Sequence, residues 1–197
     1  MKSLLLILIS LNLIAHNEYS LRIAYGKVTS SDLGEILTAD IQKHKYNLTV
    51  LAFDSSYLLK KDIYNLPIDV STNVGVAYFN EDNQQNSIYE TTLYIKAYYK
   101  FDTLSSRFGF GEGISYTNNI LTTEYLEATQ KSDHYSRFLN YLDISFDLDF
   151  GKLIGYKPLS STYLGVLIKH RSGIFGLINN VSHGGSNYNT FYIEKKF

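Results

Sequence analysis

The sequence has no cysteine, no tryptophan and only two prolines. Without cysteine there is no disulfide framework, no thiolate zinc site, no cysteine nucleophile and no lipid-modified cysteine anchor. It also lacks an excess of either charge: 18 Lys+Arg stand against 19 Asp+Glu, a formal net charge of -1. That balance offers no basic footprint to a nucleic acid and no acidic tail. The five histidines, at positions 16, 44, 134, 170 and 183, show no metal-ligand spacing. Neither a metal nor any other cofactor is expected. What is abundant is tyrosine, with 18 Tyr beside 11 Phe. Many tyrosines and little proline point to strands rather than loops.

The 197 residues suit one domain behind a targeting segment. Met1 and Lys2 form a short basic start, and Leu4 to Ile14 is an apolar run broken only by Ser10 and Asn12. This run falls short of the roughly 20 residues a spanning helix needs. It fits the apolar region of a secretory signal, with Ala15 as a small residue before cleavage. Residues 1–19 therefore read as a signal peptide, cut at about 15–20, ahead of a single domain over 20–197. The other reading of the run is a buried N-terminal helix.

Beyond that segment the chain alternates. Leu142, Ile144, Phe146, Leu148 and Phe150 share one parity; Tyr141, Asp143, Ser145, Asp147 and Asp149 share the other. In a strand these are opposite faces, one apolar and one carrying three carboxylates. The pattern recurs through Leu66–Phe79 and Tyr89–Phe101. Less regular strands fit Leu21–Lys27, Tyr46–Asp54, Arg107–Thr117, Thr162–Ile174 and Asn187–Phe197. No helical period of comparable strength occurs in the mature chain. The chain is therefore all-β, with eight expected strands.

A soluble barrel or sandwich turns its apolar parity inward; an outer-membrane barrel turns it outward to lipid. Three features favour the membrane version. The apolar stretches run about ten residues, the length of a tilted spanning strand. Tyr78, Tyr89, Tyr99, Phe101 and Phe150 stand at the ends of apolar faces, where interfacial girdles lie. The alternating last strand ends on Phe197, which resembles the terminal signature of bacterial outer-membrane barrels. The expected fold is an eight-stranded, antiparallel, up-and-down transmembrane β-barrel in the bacterial outer membrane.

In that barrel Asp143, Asp147 and Asp149 face inward beside Lys169 and Arg171 of the next strand, so opposite charges meet between neighbouring strands. Gly109, Gly111 and Gly113 share a parity and leave room for inward Tyr94 and Tyr98. The same glycines lack the strand-turn-helix setting of a nucleotide site. Side chains fill so small a lumen, which disfavours a pore. With both termini in the periplasm, the outward connections are about 28–44, 80–86, 118–137 and 175–186. Loop 118–137, with Glu124, Glu127, Lys131, Asp133, His134 and Arg137, reads as solvated surface.

One constellation carries chemistry. On the seventh strand His170 and Ser172 continue the lipid-facing row of Leu164, Val166 and Ile168, near the outer end. Residues two apart on one face have neighbouring side chains. A histidine that takes a proton from a serine hydroxyl is the core of acyl-transfer catalysis. The outer leaflet of a Gram-negative envelope would present the pair with lipopolysaccharide. The plainer reading is that both residues sit at the polar interface, where neither is costly.

His170-Arg171-Ser172 on the penultimate strand of an exported barrel resembles the His-x-Ser motif of the lipid A 3-O-deacylase family of outer-membrane esterases. The resemblance is best over 140–197. The stretches from Phe108-Gly109-Phe110-Gly111 and from Asn140-Tyr141-Leu142-Asp143 also look like those of barrels grouped with the family. It implies Ser172 as nucleophile, His170 as base, lipid A as substrate and no metal. Two positions depart from the pattern. The family follows the serine with Asn, thought to help hold the oxyanion, where this chain has Gly173. Its orienting Glu is matched here by Gly184-Gly185-Ser186-Asn187, without a carboxylate. Candidate contributors to the missing roles are Glu112, on the apolar parity of the fifth strand unless a bulge turns it inward, the Gly173 backbone N–H, and Ser186. The competing expectation is a barrel without catalysis, structural or surface-interacting, or a member that kept the fold and lost the chemistry.

Overall fold

Eight antiparallel strands close on themselves in a computed structural model that describes residues 18–101 and 105–197. The expected signal peptide lies outside the described residues up to residue 17. The strands are β1 (Tyr19–Val28), β2 (Thr49–Lys60), β3 (Ile68–Asn80), β4 (Ile88–Phe101), β5 (Ser106–Thr117), β6 (Phe138–Asp149), β7 (Thr162–Ser172) and β8 (Ser186–Lys196). Each pairs with its sequence neighbours, and β1 pairs with β8 to close the barrel. Strand β2 starts later and runs further than its hydrophobic pattern predicts, because Ser56 and Tyr57 keep pairing with β3 and β1.

Parity divides the wall as the alternation requires. Phe146 is 41% exposed on the outside, while Asp143 and Asp147 are 0% and 1% exposed inside. Ile23, Phe53, Val76, Leu93, Ile95, Phe110 and Val166 continue the outer apolar belt. Such a belt around a closed barrel, over a charged interior, is a surface for hydrocarbon rather than water. Aromatic rings edge it at both ends. Tyr78 and Tyr89 meet at 5.6 Å towards the long connections, and Tyr99 and Phe101 at 4.8 Å at the opposite end.

The interior charges pair both between neighbouring strands, as Arg22 with Asp54 and Arg107 with Asp147 do, and across the lumen. The expected pairs of Asp143, Asp147 and Asp149 with Lys169 and Arg171 do not form. Register sets Asp143 beside Lys169. Asp143 instead accepts from Arg22 at 2.7 Å and Lys96 at 2.6 Å, and Lys169 pairs with Glu90. Eight strands leave the far wall within side-chain reach, so charges select partners by geometry inside the barrel as well as by register. Arg107 makes a fork to Asp147 at 2.9 and 2.7 Å and reaches Glu194 at 3.2 Å. Gly109 and Gly111 make the space for this network. A Cβ at Gly109 would stand 2.6 Å from Lys96 Cε, and one at Gly111 would stand 3.0 Å from Tyr94 Cδ2.

Towards the long connections the lumen becomes apolar, with Val50, Phe79, Ile88, Leu121 and Tyr188 buried together. Above them lies a helix, α2 (Thr122–Gln130), the longest of three α-helices among the described residues, beside α1 (Leu33–Leu37) and α3 (Phe150–Leu153). Loop 118–137 is therefore not simply solvated surface. Glu81 accepts from the Thr122 N–H at 2.8 Å, filling an orphan donor at the positive end of α2. Glu124 turns into the lumen, 1% exposed, accepts from Ser186 Oγ at 2.8 Å and lies 3.4 Å from Arg171 Nη1. Burial outweighs Arg171 and Ser186 and pushes the Glu124 carboxyl up to about 7, with Glu90 and Glu81 adding to the rise.

Candidate functional site

Strand β7 runs from a short turn towards the end bearing the long connections, 29–48, 118–137 and 173–185. Its last outward positions are His170 and Ser172. A line of register joins Glu112 on β5, Leu142 on β6, His170 on β7 and Asn187 on β8. One step further out, Asn140 on β6 stands opposite Ser172. These residues line a cleft of about 500 Å³ on the barrel's outer face, roofed by the connections. Leu142, Ile174 and Phe175 supply its apolar side, and Asp32, Lys131 and His183 its polar side. Phe175 and Leu177 are 95% and 82% exposed, an apolar tip at the level of the cleft.

The side-chain partner of His170 is an amide. His170 Nδ1 lies 2.6 Å from Asn187 Oδ1, and Asn187 Nδ2 donates to the Ser31 carbonyl at 3.0 Å. A carbonyl only accepts, so the amide nitrogen must face Ser31 and the amide oxygen must face the imidazole. That oxygen also only accepts, so the proton of neutral His170 sits on Nδ1 and the lone pair on Nε2. Ser31 is itself held: its Oγ donates to the Asp40 carbonyl at 2.7 Å and accepts the Gln42 N–H at 2.8 Å. The first long connection thus sets the tautomer of a histidine on the barrel wall. No hydrogen bond joins His170 to Ser172 in this state. A methyl at Gly185 would stand 3.7 Å from both His170 Cε1 and Ser172 Cβ, so this glycine borders the space between them.

The other expected contributors fall elsewhere. Ser186 points into the lumen towards Glu124, on the opposite face of β8 from Asn187. Glu112 faces outward and lines the same cleft; pairing of β5 with both neighbours is continuous, with no bulge to turn it inward. It stands two strands from His170, roughly 9–10 Å at ordinary strand spacing, beyond direct contact. Gly173 is closed over by the last long connection: a Cβ there would lie 2.0 Å from the Val181 carbonyl oxygen. A side chain at 173 has no room here. Two residues that sequence reasoning passed over, Asn187 and Asn140, are both amides. The search for a carboxylate missed Asn187, although parity already put it on the outward row.

No family model matches the chain, and no curated protein does. Solved structures do. The outer membrane enzyme PagL superposes with a TM-score of 0.59 at 12% identity, over 90% of this chain and 99% of that one. Neisserial surface protein A (NspA) gives 0.50 at 12% identity, over 92% of this chain and 97% of its own. The Yersinia pestis outer membrane protein Ail gives 0.47 at 8% identity, over 90% of this chain and 98% of its own.

The fold is that of a bacterial outer-membrane barrel.

In such barrels the long connections lie on the cell exterior and the short turns in the periplasm. The cleft of this outer-membrane barrel accordingly opens at the level of the outer leaflet. An enzyme and a surface protein share the architecture, so function has to be argued from the site.

Proposed function

We propose that the protein is an outer-membrane esterase that removes an ester-linked acyl chain from lipid A, with Ser172 as nucleophile and His170 as general base. The observation that carries this reading is the 2.6 Å contact from His170 to Asn187. It leaves Nε2 as the basic nitrogen on a strand face shared with a serine, in a cleft that is apolar on one side and polar on the other. The resemblance of His170-Arg171-Ser172 to the deacylase motif and the fold shared with the outer membrane enzyme PagL support it.

In the proposed reaction Ser172 Oγ bonds to the ester carbonyl carbon while its proton passes to His170 Nε2. The carbonyl electron pair moves onto oxygen. Collapse of this intermediate breaks the bond to the sugar oxygen, which leaves as an alcohol with the proton from His170. Water then repeats the sequence on the acyl-serine and frees the fatty acid. A carboxylate partner would stabilise the imidazolium more than Asn187 can, so a slow enzyme is expected. The neutral third partner is also what favours the second reading, a surface barrel without catalysis.

Expression in a host of known lipid A composition separates the two. Mass spectrometry should show loss of one ester-linked fatty acid relative to the host with empty vector. An identical profile leaves only the non-catalytic barrel. Replacing Asn187 with alanine frees the imidazole to take the wrong tautomer, and kcat should fall about tenfold or more. Asn187→Asp keeps the acceptor for His170 and adds charge but loses the donor to the Ser31 carbonyl, so its rate should lie above that of Asn187→Ala. Equal rates for the wild type and Asn187→Ala would remove Asn187 from the mechanism.

A further inference from the structure

Asn140 is 8% exposed, yet its amide makes no side-chain hydrogen bond among the described residues, and it lines the cleft. Its amide atoms are not sealed off but open onto the cleft, so they are free to bond a group held there. Its neighbours on the register line are Ile114 on one side and Ser172 on the other. Directly opposed residues of antiparallel strands carry Cβ atoms about 4.5–5.5 Å apart. A group held by Ser172 is therefore within reach of the Asn140 amide.

We infer that Asn140 donates through Nδ2 to the oxyanion formed when Ser172 attacks an acyl ester, so that a donor on β6 supplies what position 173 has no space to hold. The inference rests on the esterase reading. Attack at the carbonyl carbon moves the carbonyl electron pair onto oxygen, while the serine proton goes to His170. The resulting O⁻ accepts the Asn140 N–H, and the bond strengthens as charge develops. When the intermediate collapses, the pair returns to re-form the carbonyl and the alkoxy bond breaks. Asn140 gains and loses no proton. Its position on a paired strand, rather than in a loop, fixes the backbone that carries the donor before the substrate arrives.

The test uses the purified full barrel in detergent micelles, with lipopolysaccharide of known acylation as probe and released fatty acid as readout. Asn140→Ala should lower kcat about 10²–10³-fold, the range for loss of one oxyanion donor, with KM changed less than about threefold. The variant should keep the gel shift of a folded barrel between unheated and boiled samples. If it does not fold, Asn140→Asp decides by the same criterion: it has the same size but presents an acceptor where a donor is needed. A folded variant with kcat within about threefold of wild type, while Ser172→Ala is inactive, overturns the role of Asn140 alone. Equal release by the wild type and Ser172→Ala overturns the esterase reading and this inference with it.

Discussion

Replacing Ser172 with alanine is expected to abolish fatty-acid release from lipid A, a loss of at least about 10³-fold, while the barrel still folds. The residue lies at the end of β7 on the outer face, is not part of the lumen network, and makes no side-chain hydrogen bond among the described residues. Removing one hydroxyl there deletes the proposed nucleophile and little else. His170→Ala should lose a comparable amount, and the double variant should lose little more than either single one, because nucleophile and base act as a unit. The measurement is fatty-acid release by each purified variant, alongside the gel shift between unheated and boiled samples. Additive losses would mean that the two side chains work independently and that the proton route proposed here is wrong.

The largest effect on stability is expected inside the barrel. Asp143 is 0% exposed and holds Arg22 and Lys96 together from opposite sides. In Asp143→Ala, Arg22 keeps Asp54 at 3.0 Å. Lys96, also 0% exposed, keeps only the face of Tyr98, 4.6 Å from its Nζ. Stranding one buried charge costs about 3–5 kcal/mol, far more than the intact pair contributes relative to apolar side chains of similar volume. The urea midpoint in lipid vesicles should fall accordingly, followed by circular dichroism because the chain has no tryptophan. Adding Lys96→Met should recover much of the loss by removing the stranded charge. A loss below about 1 kcal/mol in Asp143→Ala would mean that water reaches the network and screens it.

The pair His170 and Ser172 was legible because a strand has a period of two, and parity alone assigns both to the lipid side. Parity also assigned Glu112 to the outer row, where it is found. Partners across strands were not legible. Asn187 meets His170, and Asn140 meets Ser172, only through the register of three strands, which depends on how the connections between them fold. The helix α2 escaped notice for a related reason. Its residues Thr122, Thr123, Glu124 and Ala128 are buried against the barrel mouth, yet none belongs to a long apolar face.

Which face of every strand meets hydrocarbon was decided by the order of residues along the chain, since neighbouring side chains in a strand must point opposite ways whatever surrounds them. The choice of partner for each inward charge, the closure over Gly173 and the amide behind His170 were decided only by tertiary structure. Those contacts join residues tens of positions apart, and closing a sheet into a barrel is what brings them within hydrogen-bond range.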